Sequence, residues 1–208
     1  GMHHKWRKSA ANIACDGMRN EVSNGLDVAS GTGDFAFQLI EHHNIGYVVA
    51  MDLSEQMLSV AKRKHEERNL NSEIDFVVGD VIDMPFSDEM FSLAIVGFGF
   101  RNFADLEGSL REMTRVVKPG GKVTILEIVK PEGILMSKIF PIYFRKLTPI
   151  LGSLFAGNIE AYRYLPESVN NFVTARQIKD MMQNAGLRNV TVRELAMGSV
   201  AIISGNRN

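Results

Sequence analysis

The chain has 208 residues and a formal net charge of −1, the size of one domain with room for a sizeable core. With 45% hydrophobic and 23% charged residues it reads as an ordinary folded protein. It lacks the basic excess that a phosphate-covered partner requires, so no nucleic acid is expected.

The first helix is expected from Lys5 to Arg19. It carries the only cysteine, Cys15, read as a half-buried packing residue rather than a nucleophile. One cysteine excludes a disulfide framework and fits a reducing compartment. Leu26 to Ala29 reads as a short buried strand running into a glycine loop, and Phe35 to His43 as the helix leaving it. Tyr47 to Met51 is a second strand. Ser54 then caps a long helix whose apolar face includes Met57, Leu58 and Ala61. Ile74 to Val78 and Phe91 to Val96 are the third and fourth strands. Asp105 to Val117 is helical and stops before the turn signal Pro119-Gly120-Gly121.

Val123 to Ile128 is a fifth strand, and 131–168 breaks the alternation as a helical insertion. Ala175 to Asn184 is the last helix, with Gly186 past its end. Val190 to Glu194 and Val200 to Ser204 pair around Met197-Gly198. The fold class is therefore α/β. It is a Rossmann-like, doubly wound, mostly parallel sheet with a C-terminal antiparallel strand and the helical insertion before the last two strands. The whole chain, 1–208, is expected to be one domain.

The start shows no signal-peptide pattern. No run approaches the ~18 apolar residues of a membrane span. The apolar stretch Gly133 to Gly157 is broken by Lys138, Pro141, Arg145, Lys146 and Pro149. A cytoplasmic location is expected, with peripheral contact at the inner face of the membrane and a homodimer both left open.

Chemistry concentrates at Asp27-Val28-Ala29-Ser30-Gly31-Thr32-Gly33-Asp34. Gly31 and Gly33 allow a tight turn and close approach of a ligand to the backbone. The following helix presents free N–H groups. Taken alone, the loop also satisfies the G-x-G-x-x-G/A pattern of dinucleotide enzymes. Asp52, ending the second strand, suits the ribose hydroxyls of NAD and of S-adenosylmethionine alike. Asp27 and Asp34 flank the glycines and would repel a pyrophosphate, whereas S-adenosylmethionine carries an ammonium and a sulfonium. Asp80 ends the third strand and suits an adenine amino group, with the Val81 N–H meeting a ring nitrogen. His3 and His4, adjacent on a helix, are expected to point apart, and no metal site is expected.

Several separated segments resemble the ubiquinone/menaquinone biosynthesis C-methyltransferase family. They are the glycine loop, Asp52-Leu53-Ser54-Glu55-Gln56-Met57-Leu58, Met84-Pro85-Phe86 and Phe98-Gly99-Phe100-Arg101-Asn102. Further on come Glu112-Met113-Thr114-Arg115-Val116-Val117-Lys118-Pro119-Gly120-Gly121, Leu126-Glu127, and Tyr162-Arg163-Tyr164-Leu165-Pro166-Glu167-Ser168-Val169. The Arg-Asn and Tyr-Leu-Glu-Ser segments are the most specific. The resemblance implies an S-adenosylmethionine-dependent C-methyltransferase that releases S-adenosylhomocysteine and methylates a prenylated benzoquinol or naphthoquinol.

Thr32, Asp52, Asp80 and Val81 match the family's cofactor-contacting positions, and Gly97 matches one that is often serine. Asp27, Gly31, Gly33, Leu53, Met57 and Phe98 are counted with them. Arg101 and Asn102 are the implied catalytic residues. Arg101 would stabilise a phenolate or orient a water, against the plainer alternative of pairing with Asp105. Asn102 would fix the ring oxygens. Tyr162 and Tyr164 would be lid or substrate-pocket residues. The apolar residues of 134–155 would either meet the prenyl tail or simply close the core, and Lys138, Arg145 and Lys146 would meet anionic lipid headgroups.

Gly1-Met2-His3-His4-Lys5-Trp6-Arg7 resembles a stretch that in the family follows a further helical segment closing the cofactor site. Other readings are a methyltransferase for another hydrophobic small molecule, a non-catalytic S-adenosylmethionine-binding scaffold, and an NAD-dependent oxidoreductase.

Overall fold

The computed structural model describes residues 2–17, 23–68, 73–132 and 173–208. The expected insertion 131–168 lies outside them save for Pro131 and Glu132. With it go Tyr162, Tyr164, Lys138, Arg145, Lys146 and the prenyl-tail surface.

The elements are α1 (Met2–Cys15), β1 (Ser23–Val28), α2 (Asp34–Ile40), β2 (Ile45–Asp52), α3 (Glu55–Glu67) and β3 (Glu73–Val78). Then come β4 (Phe91–Gly97), a 3-10 turn (Phe100–Asn102), α4 (Leu106–Val116) and β5 (Val117–Ile128). After the undescribed segment follow α5 (Ala175–Asn184), β6 (Leu187–Leu195) and β7 (Val200–Arg207). The strands form one sheet in the order β3-β2-β1-β4-β5-β7-β6. Only β7 runs antiparallel to its neighbours, β5 and β6. The sheet order reverses between β1 and β4, where the chain leaves for opposite edges and a crevice opens beyond the strand ends.

Strand alternation sorts the core onto two faces. Leu26, Val28, Ala94, Val96, Val123 and Ile125 face one side with Leu110 and Met113 of α4 and Ile178 of α5. Leu93, Ile95, Leu126 and Ile128 face the other with Trp6, Ala10 and Ala14 of α1 and Phe35 and Leu39 of α2. Asp27, between Leu26 and Val28, is turned to this second face and lies under α2.

Helix ends follow their caps. Ser54 accepts from the Met57 N–H, Asp105 from the Gly108 N–H, and Thr174 with Gln177 makes a full capping box. The expected α1 is displaced, starting at Met2 and ending at Cys15. Its last carbonyls, of Ile13 and Asp16, accept from the Lys122 ammonium of β5, a cation at a helix C-terminus. Cys15 is fully buried rather than half-buried, and burial pushes its thiol up to about 11. Pro119-Gly120-Gly121 does not separate α4 from the next strand. The strand begins at Val117, directly after α4, and the tripeptide makes a register break within it, with Gly120 at φ 80°.

The segment after β3 is held by the resemblance motif of α4. Glu112 accepts from the Met84 N–H at 3.0 Å, and Arg115 donates to Glu112, to Asp88 and to the carbonyls of Met84 and Phe86. The Arg115 guanidinium beside it holds the Glu112 carboxyl below the usual range. Arg115→Met removes these charge-assisted bonds from a partly exposed site. It is expected to cost about 2 kcal/mol and lower Tm by roughly 4–8 °C, checked by thermal unfolding.

Candidate functional site

The crevice holds a cavity of about 510 Å³, within the range that small-molecule sites occupy. It is walled by the ends of four neighbouring strands. β1 contributes Asp27 with Ser30, Gly31 and Thr32 after it. β2 contributes Asp52, with Leu53, Ser54 and Met57 following. β3 leads to Gly79, Asp80, Val81 and Ile82, and β4 to Gly97, Phe98 and Asn102. Eleven of the thirteen residues expected from sequence border this space. The other two are Gly33 and Arg101.

Gly33 is buried behind the loop at φ 81°, and a Cβ there would meet Ala61 and Phe37 at 3.1 Å. It serves helix packing, while Gly31, at φ 56° with nothing near its Cβ position, leaves the loop open toward the cavity. Asp52 braces this loop. Its two oxygens accept from the Gly31 N–H at 2.7 Å and the Ser54 N–H at 2.8 Å. Asp80 is exposed and accepts from the Ile82 N–H, so its carboxylate is presented by a short turn. Leu53, Met57 and Ile82 form an exposed apolar rim between the two acids.

The two acids flanking the glycines behave differently. Asp34, read as a repulsive charge, is neutralised by Lys64 at 3.1 Å and Arg7 at 3.5 Å. It therefore gives no discrimination against a phosphate. Asp27 is buried, with one oxygen accepting from the Ala36 N–H at 2.9 Å and Oδ1 without a partner among the described residues. Burial pushes its carboxyl well above the usual carboxylate range, against the pull of the Ala36 N–H and of Arg7. The Ser30 hydroxyl, in the same cavity lining, is also buried and has no partner among the described residues.

The turn after β4 carries the Arg-Asn pair. Phe98 takes φ 61° and Ala29, just after the neighbouring β1, φ 52°, conformations that side chains beyond glycine rarely adopt. Asn102 lies on the cavity wall. Arg101 does not. Its side chain is buried and donates to Glu127 Oε1 and to the Phe98 carbonyl, both at 2.6 Å. Asp105, the alternative partner, caps α4 instead. Glu127, fully buried at the end of β5, also accepts from the Arg101 and Ile128 backbone N–H groups. It thus holds the turn by both backbone and side chain.

Gly97, where a lost hydroxyl contact was expected, faces Phe35, whose ring would lie 2.4 Å from a Cβ. The aromatic ring of α2 occupies the space of the missing side chain. Sequence reasoning also missed Arg7, Ser30 and Glu127. Arg7 and Glu127 lay within resemblance segments, but nothing local marked them as site residues. His3 and His4 stand with ring centroids 4.5 Å apart rather than pointing away. Among the described residues no cluster of three or more His, Cys, Asp or Glu is placed to hold a metal.

Two outcomes check this geometry. Burial makes the folded chain hold the Asp27 proton to higher pH than the unfolded chain does. Its raised pKa therefore subtracts stability progressively as pH rises above the ordinary carboxylate value. Asp27→Asn, shaped like the protonated acid, is expected to raise the ligand-free Tm at pH 7–8 by about 2–4 °C, with the gain vanishing near pH 4. Gly97→Ser is expected to destabilise by about 1–3 kcal/mol through overpacking, and Phe35→Leu in the same chain to recover most of it. Paired denaturant titrations measure both.

The ubiE/COQ5 methyltransferase family model matches residues 1–207. Demethylmenaquinone methyltransferase of Thermus thermophilus is 40% identical over 207 residues, covering 100% of this chain and 91% of that protein. Ubiquinone/menaquinone biosynthesis C-methyltransferase UbiE of Pseudomonas fluorescens is 36% identical over 208 residues, covering 99% and 79%. Among solved structures, Haemonchus contortus phosphoethanolamine N-methyltransferase 2 in complex with S-adenosyl-L-methionine superposes with a TM-score of 0.71. It is 15% identical, with 98% of this chain and 52% of that chain covered, a likeness that bears on the fold alone. The whole-chain family match and the relatives at 36–40% identity agree, and the chain belongs to the ubiE/COQ5 methyltransferase family.

Proposed function

We propose that the chain transfers a methyl group from S-adenosylmethionine to a ring carbon of a prenylated benzoquinol or naphthoquinol. The observation that carries this reading is the whole-chain match to relatives named for methylating demethylmenaquinone or for ubiquinone/menaquinone biosynthesis. When bound, S-adenosylmethionine supplies an electrophilic methyl group on a sulfonium and leaves as S-adenosylhomocysteine.

The residues present fit such a donor. Asp52 keeps lone pairs beyond its two backbone bonds for ribose hydroxyls. The apolar rim of Leu53, Met57 and Ile82 suits a purine face, and Asp80 with the Val81 N–H its polar edge. The unpaired Asp27 Oδ1 and Ser30 hydroxyl border the remaining end. Thr32, Gly31, Gly97 and Phe98 complete the enclosure.

Methylation at carbon would form a C–C bond at the expense of the donor's methyl–sulfur bond. The hydroxyl proton given up to make the ring nucleophilic would return to oxygen while the ring proton is lost, so one proton would leave overall. Asn102, on the wall beyond β4, is assigned the ring oxygen. Arg101, off the cavity wall and paired with Glu127, is assigned electrostatic support of the phenolate at a distance or through a water, not by direct contact. A guanidinium offers hydrogen-bond donors and no acceptor, so Arg101 is not assigned the role of base. Glu127 is a positioning residue that fixes Arg101 and the turn carrying Asn102. The hydrophobic substrate explains why both ring groups must be held in place. Reacting atoms need to lie about 3–3.5 Å apart and in line.

Transfer of labelled methyl from S-adenosylmethionine into demethylated prenylquinols tests the reading, with donor binding measured alongside. Asn102→Ala is expected to lower turnover about 100-fold with donor affinity within about twofold. Glu127→Gln is expected to lower both stability and turnover. Arg101→Met with Glu127→Gln is expected to regain stability relative to Arg101→Met, because no lone buried charge remains, yet to stay inactive. Donor binding with label entering only non-quinol acceptors would overturn the quinol assignment.

A further inference from the structure

Four charged side chains meet at the glycine-loop end of the cavity, and three of them are accounted for. Lys64 bonds the Thr32 hydroxyl at 2.8 Å and Asp34 at 3.1 Å, so these two charges satisfy each other at the rim. Asp27 is tied to α2. Arg7 is left over. It reaches the cavity from α1 with only 7% of its surface exposed, and no hydrogen bond to it is found among the described residues. Its ion pair there is the 3.5 Å contact with Asp34, which Lys64 already holds more closely. Its guanidinium carbon lies 5.9 Å from the centre of the Phe98 ring, another cavity residue.

A buried guanidinium with five N–H donors and so little accepting them is costly unless something enters to complete it. Asp27 Oδ1 and the Ser30 hydroxyl lack partners at the same end. With Asp27 ionised, Arg7 and Lys64 balance Asp27 and Asp34, so this end is neutral overall but divided into a positive and a negative side. A pyrophosphate dianion has no positive group to set against Asp27. An amino-acid group, anionic at one atom and cationic at the next, matches the division.

We infer that Arg7 binds the α-carboxylate of the donor's amino-acid end, with Asp27 as counter-charge to its α-ammonium. This rests on the donor being S-adenosylmethionine. Arg7 is a binding residue in the sense that a planar guanidinium takes a carboxylate through two parallel bonds. Burial, which lowers its pKa, leaves it charged and poorly solvated, a state that an incoming anion relieves.

Calorimetry on the 208-residue chain with S-adenosylmethionine, S-adenosylhomocysteine, decarboxylated S-adenosylmethionine and NAD tests the inference. The unaltered chain is expected to prefer S-adenosylmethionine to its decarboxylated form by about 10- to 100-fold. Arg7→Met is expected to erase that preference, weakening the carboxylate-bearing ligands while the decarboxylated one stays within about threefold. Arg7→Lys is expected to restore part of it. Equal binding of the two donor forms by the unaltered chain would overturn the assignment, and needs no variant to fold. So would an Arg7→Met variant that weakens both forms alike. Binding of NAD with neither S-adenosyl ligand is a separate result, overturning the donor reading beneath it.

Discussion

The site depends first on one carboxylate, that of Asp52. A glycine turn has no shape of its own, because each glycine is free to adopt many conformations. Asp52 removes that freedom by accepting the Gly31 N–H with one oxygen and the Ser54 N–H with the other. The end of β1, the end of β2 and the start of α3 are thereby fixed to a single group, each bond contributing about 1.5–3 kcal/mol when the acceptor is charged. Parallel pairing of Val28 with Met51 brings the two strand ends level, so the carboxylate spans them without strain. Glu127 repeats the arrangement on the other side of the crevice, where it holds the turn after β4. The cavity lies between two loops, each braced by a buried or half-buried acid from a neighbouring strand.

These braces contrast with Asp27. Glu127 gathers three N–H donors, two of them backbone, and a full ion pair. Asp27 receives one bond and keeps an oxygen unsatisfied. By stability alone an apolar residue or an amide would serve better at its position. An acid left incomplete beside a cavity marks a place where folding and binding make opposite demands. The same holds for Arg7 opposite, and the pair gives the cavity a direction that its shape does not.

Much of the fold was legible because the signals were local. Alternating strands and helices, the cap at Ser54, and the terminal helix Ala175–Asn184 follow from short-range chemistry. The register break at Pro119-Gly120-Gly121 did not, because whether a turn signal ends a strand or bulges it is decided by the neighbour, β4. The cavity-lining acids were legible from their place after successive strands. Their electrostatics were not: Asp34 read as a bare charge until Lys64 and Arg7, distant in sequence, came to meet it. Arg101 read as a residue facing substrate because its segment matched so closely. Its burial against Glu127 depends on a strand 26 positions away. Gly97 read as a loss, and only packing reveals that Phe35 fills the gap.

The insertion of β7 between β5 and β6 constrains how the molecule assembles. β5 carries Glu127 and the wall of the substrate turn, yet one of its two edges is completed by Val200–Arg207. β6 precedes β7 in the chain but contacts the sheet only through it. Until the final segment docks, β5 presents an unpaired, strongly apolar edge, the kind of surface that recruits strands from other chains. Pairing across that span is a long-range event and correspondingly slow. The acid that braces the active turn therefore sits on the strand whose protection arrives last, which couples correct assembly of the site to escape from aggregation.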